Sequence, residues 1–146
     1  ERRCGGYGYN NAYLGVQRGL DGAIRSDKSG SSLGLFQSPD RVIAFSDTGF
    51  AAGDVPGDII EYSFAEPRFL DVGTAQPADP SIHFRHGSRA TGARSASTAS
   101  VAWLDGHVTS EQRTFSWSSG LYPADPGSLR IGWFGTQASN ILFSGR

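Results

Sequence analysis

Apolar residues in this chain come in short runs or alternate with polar ones, and glycine, proline and asparagine separate these stretches. Such a pattern is typical of strands joined by turns, and no stretch has the apolar period of a long amphipathic helix. We therefore predict a mainly β, antiparallel fold in a single domain over residues 1–146. The predicted strands are 12–14, 33–36, 41–46, 59–64, 81–85, 101–104, 107–109, 114–117 and 129–134, and an apolar tail at 140–143 docks on the sheet.

The best candidate for the central strand is the segment 41–46. Its residues from Val42 to Phe45 are all apolar, so both faces of the strand are predicted to be covered. In this interpretation Asp47 closes the strand.

The clearest turn signal is Asp105-Gly106, which separates two β-favouring runs. A two-residue Asp-Gly loop is the strongest short-range signal for a type I′ hairpin. The resulting register pairs Trp103 with Val108 across the turn. Because side chains alternate along a strand, each face of the hairpin receives every second residue. The predicted core face carries Val101, Trp103 and Val108, and the opposite face carries Ala102, Leu104 and His107.

Composition and charge narrow the functional class. The chain has 20 glycines, seven prolines, 18% charged residues and a net charge of −1. Its basic residues are scattered, so there is no electrostatic footprint for nucleic acid or an anionic membrane. Three arginines in the segment after residue 84 (Arg85, Arg89 and Arg94) are interpreted as solvated loop residues. The single Cys4 cannot form an internal disulfide, and no stretch approaches the roughly 20 apolar residues that span a bilayer.

The phrase FRHG at 84–87, followed by a loop and by SVAWLDGHV at 100–108, resembles a signature of bacterial pseudopilins. In that group of type IV pilin-like proteins, nine residues separate a histidine from an Asp-Gly turn. Here eighteen residues separate His86 from Asp105, and the segment 87–100, rich in Gly, Ser, Thr and Arg, is predicted to be a flexible loop insertion. Three further phrases are similar to parts of these proteins, in the same order: YGYNNAYLG at 7–15, SPDRVIAFSD at 38–47 and IGWFG at 131–135.

The resemblance implies a pilin-like C-terminal globular domain that acts as a structural subunit of a pilus-like or type II secretion pseudopilus assembly. Family members begin with a long hydrophobic helix, outside this sequence, that anchors them in the membrane; counting it would make the fold α+β. The implied partners are identical or other pilin-like subunits, with no nucleic acid and membrane contact only through that helix. The implied location is the cell surface or the extracellular space, facing the periplasm before assembly. No enzymatic activity is predicted.

Aromatic side chains suit contacts between subunits, and the candidates are Trp117, Tyr122 and Trp133. An alternative function is a secreted carbohydrate-binding β module, which is favoured if tyrosine and tryptophan line one open face. Three tyrosines near the start of the chain have two interpretations, as a platform for stacking sugars or as side chains packed over the sheet edge. These are Tyr7, Tyr9 and Tyr13.

The motif residues His86, Asp105, Gly106 and His107 are expected to have a structural role, with Asp105 bonding local backbone N–H groups. A second alternative is a small metal-dependent hydrolase that uses His86, Asp105 and His107, since imidazole and carboxylate suit zinc. His83 is set aside because in a strand it points away from His86. No cofactor is predicted. For calcium the candidates are Asp125 and a group of glycine-rich loop residues: Asp47, Asp54 and Asp58.

Overall fold

The computed structural model describes residues 6–19, 23–51, 57–71, 74–87, 97–118, 120, 124–135 and 139–145. Over these ranges the protein is mainly β, with a curled sheet in which every strand pairing is antiparallel, and its helical elements are short turns. The predicted fold class is therefore confirmed.

The strands are β1 (Gly6–Tyr9), β2 (Gln17–Arg18), β3 (Ile24–Ser26), β4 (Ile43–Thr48), β5 (Phe69–Asp71), β6 (Gln76–Pro77), β7 (Ile82–His83), β8 (Thr98–Trp103), β9 (Val108–Gln112) and β10 (Ile131–Gly132). The helical elements are a π-helical turn (Asn11–Gly15), two 3-10 turns (Leu33–Leu35 and Pro39–Arg41) and one α-helical turn, α1 (Ile141–Ser144).

Strand β4 is the centre of the main sheet, as its apolar composition predicts. β1 pairs along it, β8 pairs with it from Ile43 to Ser46, and β7 takes over the pairing at Thr48. β9 then extends the sheet beyond β8, and β10 extends it beyond β7. Two small two-stranded sheets, β2–β3 and β5–β6, lie outside this main sheet. Three strands that are far apart in the sequence, β1, β7 and β8, therefore all pair with β4.

One face of the main sheet carries the core. Its large residues are buried almost completely, and the Trp133 ring stacks on Phe143 with the ring centroids 5.4 Å apart. Fully burying one such side chain contributes about 1.5–3 kcal/mol relative to leaving it exposed. Because Phe143 belongs to α1, the predicted docking of the apolar tail is confirmed. The central members of the core are Ile43, Ile82, Phe84, Val101, Trp133 and Phe143.

Four segments predicted as strands have another structure. Residues 12–14 lie in the π-helical turn, which begins after Asn10 because the Asn10 side chain accepts a hydrogen bond from Tyr13 N at 3.2 Å. Residues 33–36 contain a 3-10 turn. The segments 59–64 and 114–117 form only isolated bridges with neighbouring chain. Local β propensity is a weak guide where such side-chain caps and long-range pairing decide the backbone.

The β8–β9 hairpin differs from the predicted register by one residue. Ala102 pairs with Val108, and a three-residue loop is closed by Gly106 at φ +98°, whose N donates to Trp103 O at 3.0 Å. A left-handed glycine at the end of a three-residue loop is the next most common hairpin after the two-residue form. A slip of one residue moves a side chain to the other face. Val108 is accordingly 66% exposed, and its predicted place in the core is wrong.

The segment predicted as a loop insertion, 87–100, ends earlier than expected. β8 begins at Thr98, so the last three of those residues belong to the sheet. His86 and Thr98 exchange two backbone hydrogen bonds, His86 N to Thr98 O at 2.9 Å and Thr98 N to His86 O at 2.7 Å. Residues 88–96 lie outside the described ranges. The two ends of the insertion are therefore joined at the sheet.

Candidate functional site

A buried carboxylate, Asp47, lies within β4 and connects three segments of the chain. Its Oδ2 accepts a hydrogen bond from Ser100 N at 2.7 Å and lies 2.9 Å from His86 Nε2. Its Oδ1 contacts Nη2 of Arg85. Asp47 thus links β4 to β8 and to the residues that follow β7. We call Asp47, Arg85 and His86 the Asp47 cluster.

The Asp47 cluster compensates the charge of the Asp47 carboxylate, which would be costly to bury without partners. Asp47 is 0% exposed, and a buried carboxylate is tolerated only when it is paired and hydrogen-bonded. Arg85 supplies the opposite charge, and its guanidinium carbon also lies 4.9 Å from the centre of the Tyr7 ring. The sequence interpretation placed Asp47 at a strand end and Arg85 in a solvated loop, and the structure corrects both.

The hairpin tip holds a second, separate pair of polar side chains. His107 N donates to Asp105 Oδ1 at 3.1 Å, which confirms the predicted bond from Asp105 to local backbone. His107 Nδ1 also lies 2.6 Å from the same oxygen, and these hydrogen bonds lower the pKa of Asp105. The His107 ring stacks on Trp103 with centroids 5.7 Å apart. These contacts hold the imidazole against the hairpin.

The structure does not bring the three predicted metal ligands together. His86 pairs with Asp47, whereas Asp105 pairs with His107. Over the described part of the chain, no three His, Cys, Asp or Glu side chains are grouped closely enough to hold a metal ion. The set of His86, Asp105 and His107 is therefore wrong as a metal site.

Of the acidic residues considered for calcium, Asp125 and Asp47 have local roles. The Asp125 carboxylate accepts hydrogen bonds from Gly127 N and Ser128 N, both at 3.0 Å, which is a turn function. Asp47 is occupied by its cluster. Asp54 lies outside the described ranges.

His83 is the one histidine in the core. It is 5% exposed, and its Nδ1 has no hydrogen-bond partner among the residues that the structure covers. Burial, followed by the positive charge of Arg85, lowers the pKa of His83 to about 4, and the negative charge of Asp47 opposes the shift only in part. Smaller effects of Arg130 and His86 act in the same direction as burial. His83 is therefore neutral in the folded protein at neutral pH.

The low pKa of His83 predicts that acid destabilises the fold. In the unfolded chain His83 binds a proton near its ordinary pKa of 6.5, whereas the folded protein resists protonation down to about pH 4. The unfolded state then binds more protons between these values, so stability falls as pH falls through this window. Relative to pH 7, this effect lowers the free energy of unfolding at pH 5 by about 2 kcal/mol. Urea denaturation at the two pH values measures the change.

The variant His83→Gln is the control for this prediction because it has no imidazole to protonate. The difference in stability between pH 7 and pH 5 is expected to be smaller in His83→Gln than in the wild type by about 2 kcal/mol. Equal pH dependence in the two proteins contradicts the prediction.

Of the three aromatics predicted to lie at an interface, the structure describes Trp117 and Trp133, and neither is fully exposed. Trp133 is 1% exposed within the core, so its assignment to an interface is wrong. Trp117 is half-buried against Trp133, and its Nε1 donates to Ala78 O at 2.8 Å. The Arg68 guanidinium carbon lies 4.0 Å from the centre of the Trp117 ring. Tyr122 lies outside the described ranges.

The face of the sheet opposite the core carries a row of apolar side chains, several of which are exposed. The row follows the strand pairing, in which Phe45 lies opposite Tyr9 on one side and Ala102 on the other. Tyr9 in turn forms a bridge with Phe64, and Ala102 pairs with Val108. Paired residues on neighbouring strands share a face. We call this row the open-face stripe: Phe64, Tyr9, Phe45, Ala102 and Val108.

The open-face stripe is apolar and partly exposed. Phe45 is 46% exposed, Phe64 40% and Val108 66%. The rings of Tyr9 and Phe45 are 5.1 Å apart, and the two remaining values of exposure are lower, since Tyr9 and Ala102 are half-buried. The prediction that β4 is covered on both faces is therefore wrong at Phe45. A connected apolar row of this kind is typical of surfaces that bind another molecule.

Comparison with known proteins identifies no relative: no family model matches the chain, nor does any curated protein or solved structure. Among the helical elements of the described ranges, none has the length and apolar character needed to cross a membrane.

Proposed function

We propose that this chain is the globular domain of a pilin-like structural subunit, which assembles into a pilus-like or pseudopilus filament on the cell surface. The subunit acts by packing against copies of itself or against related subunits, and it displays its β-rich domain on the outside. The observation that carries the proposal is the open-face stripe, an apolar row across five connected segments that a monomer leaves partly in contact with water.

The stripe suits subunit packing for an energetic reason. Its exposed members are large side chains, and removing apolar surface from water stabilises a contact by about 25 cal/mol per Å². Residues of this kind form the centre of protein interfaces, where a few anchors supply most of the affinity. The strands hold these side chains in a row, so a partner meets them without rearrangement of the sheet.

The base of the insertion supports the pilin-like interpretation of the sequence. The resemblance depends on a histidine and an Asp-Gly turn that are farther apart here than in the family. Because His86 and Thr98 are hydrogen-bonded to each other, the extra residues begin and end at adjacent points of the sheet. From Thr98 the chain then runs along β8 directly to Asp105-Gly106. An insertion at this point leaves both ends of the motif in place.

The carbohydrate-binding alternative depends on tyrosine and tryptophan together on one open face. Tyr7 and Tyr9 lie on β1 at that face, and Tyr7 is 67% exposed. However, Trp103 and Trp133 are buried in the core, and Trp117 packs against it. We therefore prefer assembly, and glycan binding stays an alternative that a glycan array with the purified chain tests directly.

Filaments sheared from the cells that make this protein are expected to contain it as a repeated subunit. The variant Phe45→Ser removes the centre of the stripe and is expected to lower its amount in the sheared fraction roughly tenfold, as the loss of an interface anchor does. Quantitative immunoblotting of the sheared and cellular fractions measures this ratio.

Leu33→Ser is the matched control because Leu33 is a 67% exposed apolar residue outside the stripe. It is expected to leave incorporation unchanged, and both variants should melt at temperatures close to that of the wild type. Absence of the wild-type protein from surface filaments overturns the proposed function. Incorporation of Phe45→Ser at the wild-type level shows instead that the stripe is not the contact surface.

A further inference from the structure

We propose that a cavity between β7 and the turn before β10 binds a small organic anion, a carboxylate or phosphate attached to a short apolar group. The cavity has a volume of about 300 Å³, which is the lower end of the usual range for small-molecule sites. This inference is independent of filament assembly because it concerns a different part of the molecule from the open-face stripe.

The walls of the cavity combine positive charge with apolar surface. Arg85 and Arg130 lie on it from two separate segments, and Ile59 and Leu129 supply apolar contacts. Guanidinium groups recognise carboxylate and phosphate oxygens through paired N–H donors. A ligand that uses both kinds of wall carries an anionic group at one end and a hydrocarbon group at the other.

The side chain and backbone of Arg130 give the most direct indication that the cavity binds a ligand. Its guanidinium makes no hydrogen bond or ion pair with any part of the chain that the structure describes, whereas Arg85 is engaged by Asp47. Its backbone has φ +61°, a left-handed conformation that is unfavourable for a residue with a side chain. Strained non-glycine residues are concentrated at binding sites. Here the strain places an arginine where a glycine fits the backbone better.

His83 provides a second, independent indication. This side chain lines the cavity and is 5% exposed, yet its buried Nδ1 lacks a partner among the described residues. Buried polar atoms are nearly always hydrogen-bonded, so this orphan atom leaves an unused hydrogen-bonding position in the wall of the cavity. A neutral imidazole carries one N–H donor, which suits an anionic oxygen.

The probes are benzoate, phenyl phosphate and inorganic phosphate, added to the full chain and observed by NMR through the methyl signals of Ile59 and Leu129. Benzoate or phenyl phosphate is expected to shift these signals in a saturable way and to leave Val101, in the core, unchanged. Inorganic phosphate should bind more weakly because it lacks the apolar group. Tighter binding of benzoate indicates a carboxylate site, and tighter binding of phenyl phosphate indicates a phosphate site.

The variant Arg130→Gly separates binding from folding. Glycine accepts φ +61° without strain, so the melting temperature should equal or exceed that of the wild type, while affinity for the organic anion falls roughly tenfold or more. Arg41→Gln removes an equally charged but highly exposed side chain elsewhere and should bind like the wild type.

Two results overturn the proposal. One is the absence of a saturable shift at Ile59 and Leu129 with all three probes. The other is an equal loss of affinity in Arg130→Gly and Arg41→Gln, which indicates attraction to net charge and not a built site. Neither result bears on the presence of the protein in filaments.

Discussion

Replacing Asn10 with alanine is expected to lower the free energy of unfolding by about 4 kcal/mol. Asn10 is 0% exposed, and its Nδ2 donates to Ile43 O at 2.9 Å and to Phe143 O at 3.1 Å. Its Oδ1 accepts from Tyr13 N. Removal of the amide leaves two buried carbonyls and one N–H without this partner, at a cost of roughly 1–3 kcal/mol each. Urea denaturation followed by circular dichroism measures the loss.

Two further variants separate the hydrogen bonds of Asn10 from its volume. Asn10→Asp keeps the shape but replaces the donating amide with an oxygen that faces two carbonyls, so it should be at least as destabilising as alanine. Asn11→Ala removes the same side chain from an exposed neighbouring position and should change stability by less than about 0.5 kcal/mol. If the Asn10→Asp protein is as stable as the wild type, the hydrogen bonds donated by the Asn10 amide do not stabilise the fold as expected.

Asn10 matters this much because it joins distant parts of the chain. Its two carbonyl partners belong to β4 and α1, which lie 33 and 133 residues away in sequence. Asn140 makes a comparable connection, since its amide bonds both N and O of Phe69 and the hydroxyl of Tyr13. Two buried asparagines thus tie the first helical turn and the C-terminal tail to the strands.

The features that sequence predicts correctly depend on neighbours in the chain. The central position of β4 follows from a run of apolar residues, and the hairpin follows from Asp105-Gly106 between two β-favouring runs. The docking of Phe143 follows from an isolated apolar tail. In each case the signal lies within a few residues, and the structure confirms the element, although the Asp-Gly loop is one residue longer than predicted.

The features that sequence misses depend on distant partners. Asp47 follows an apolar run, where aspartate usually marks a turn, and only the approach of Arg85, His86 and Ser100 makes it a buried strand residue. The amide contacts of Asn10 are similarly invisible, because asparagine near a turn needs no distant explanation. The cavity beside Arg130 requires the fold itself, since its arginines come from separate segments.

The variant Asp47→Asn is expected to lower the free energy of unfolding by about 3 kcal/mol. The substitution keeps the shape of the side chain and an oxygen for Ser100 N, but it removes the charge that compensates Arg85. Breaking a buried ion pair from one side costs about 3–5 kcal/mol, and we expect the lower end because the Arg85 side chain is 22% exposed. Asp40→Asn is the control, since that carboxylate is 60% exposed and its contact with Arg41 is 3.9 Å long.

A double-mutant cycle with Arg85→Gln tests whether the charge pair causes this loss. If Asp47 and Arg85 stabilise the fold through each other, the double variant should be more stable than the sum of the single changes predicts, by at least about 1 kcal/mol. Additive losses contradict the pairing and assign the effect to Ser100 and His86 instead. High salt should reduce the effect of Asp47→Asn only slightly, because a buried pair is screened much less than an exposed one.

Since the Asp47 cluster holds the segment after β7 against β4 and β8, its loss should also loosen the base of the insertion at His86 and Thr98. Faster hydrogen exchange at the His86 and Thr98 amides in Asp47→Asn than in Asp40→Asn is the local result expected from this arrangement.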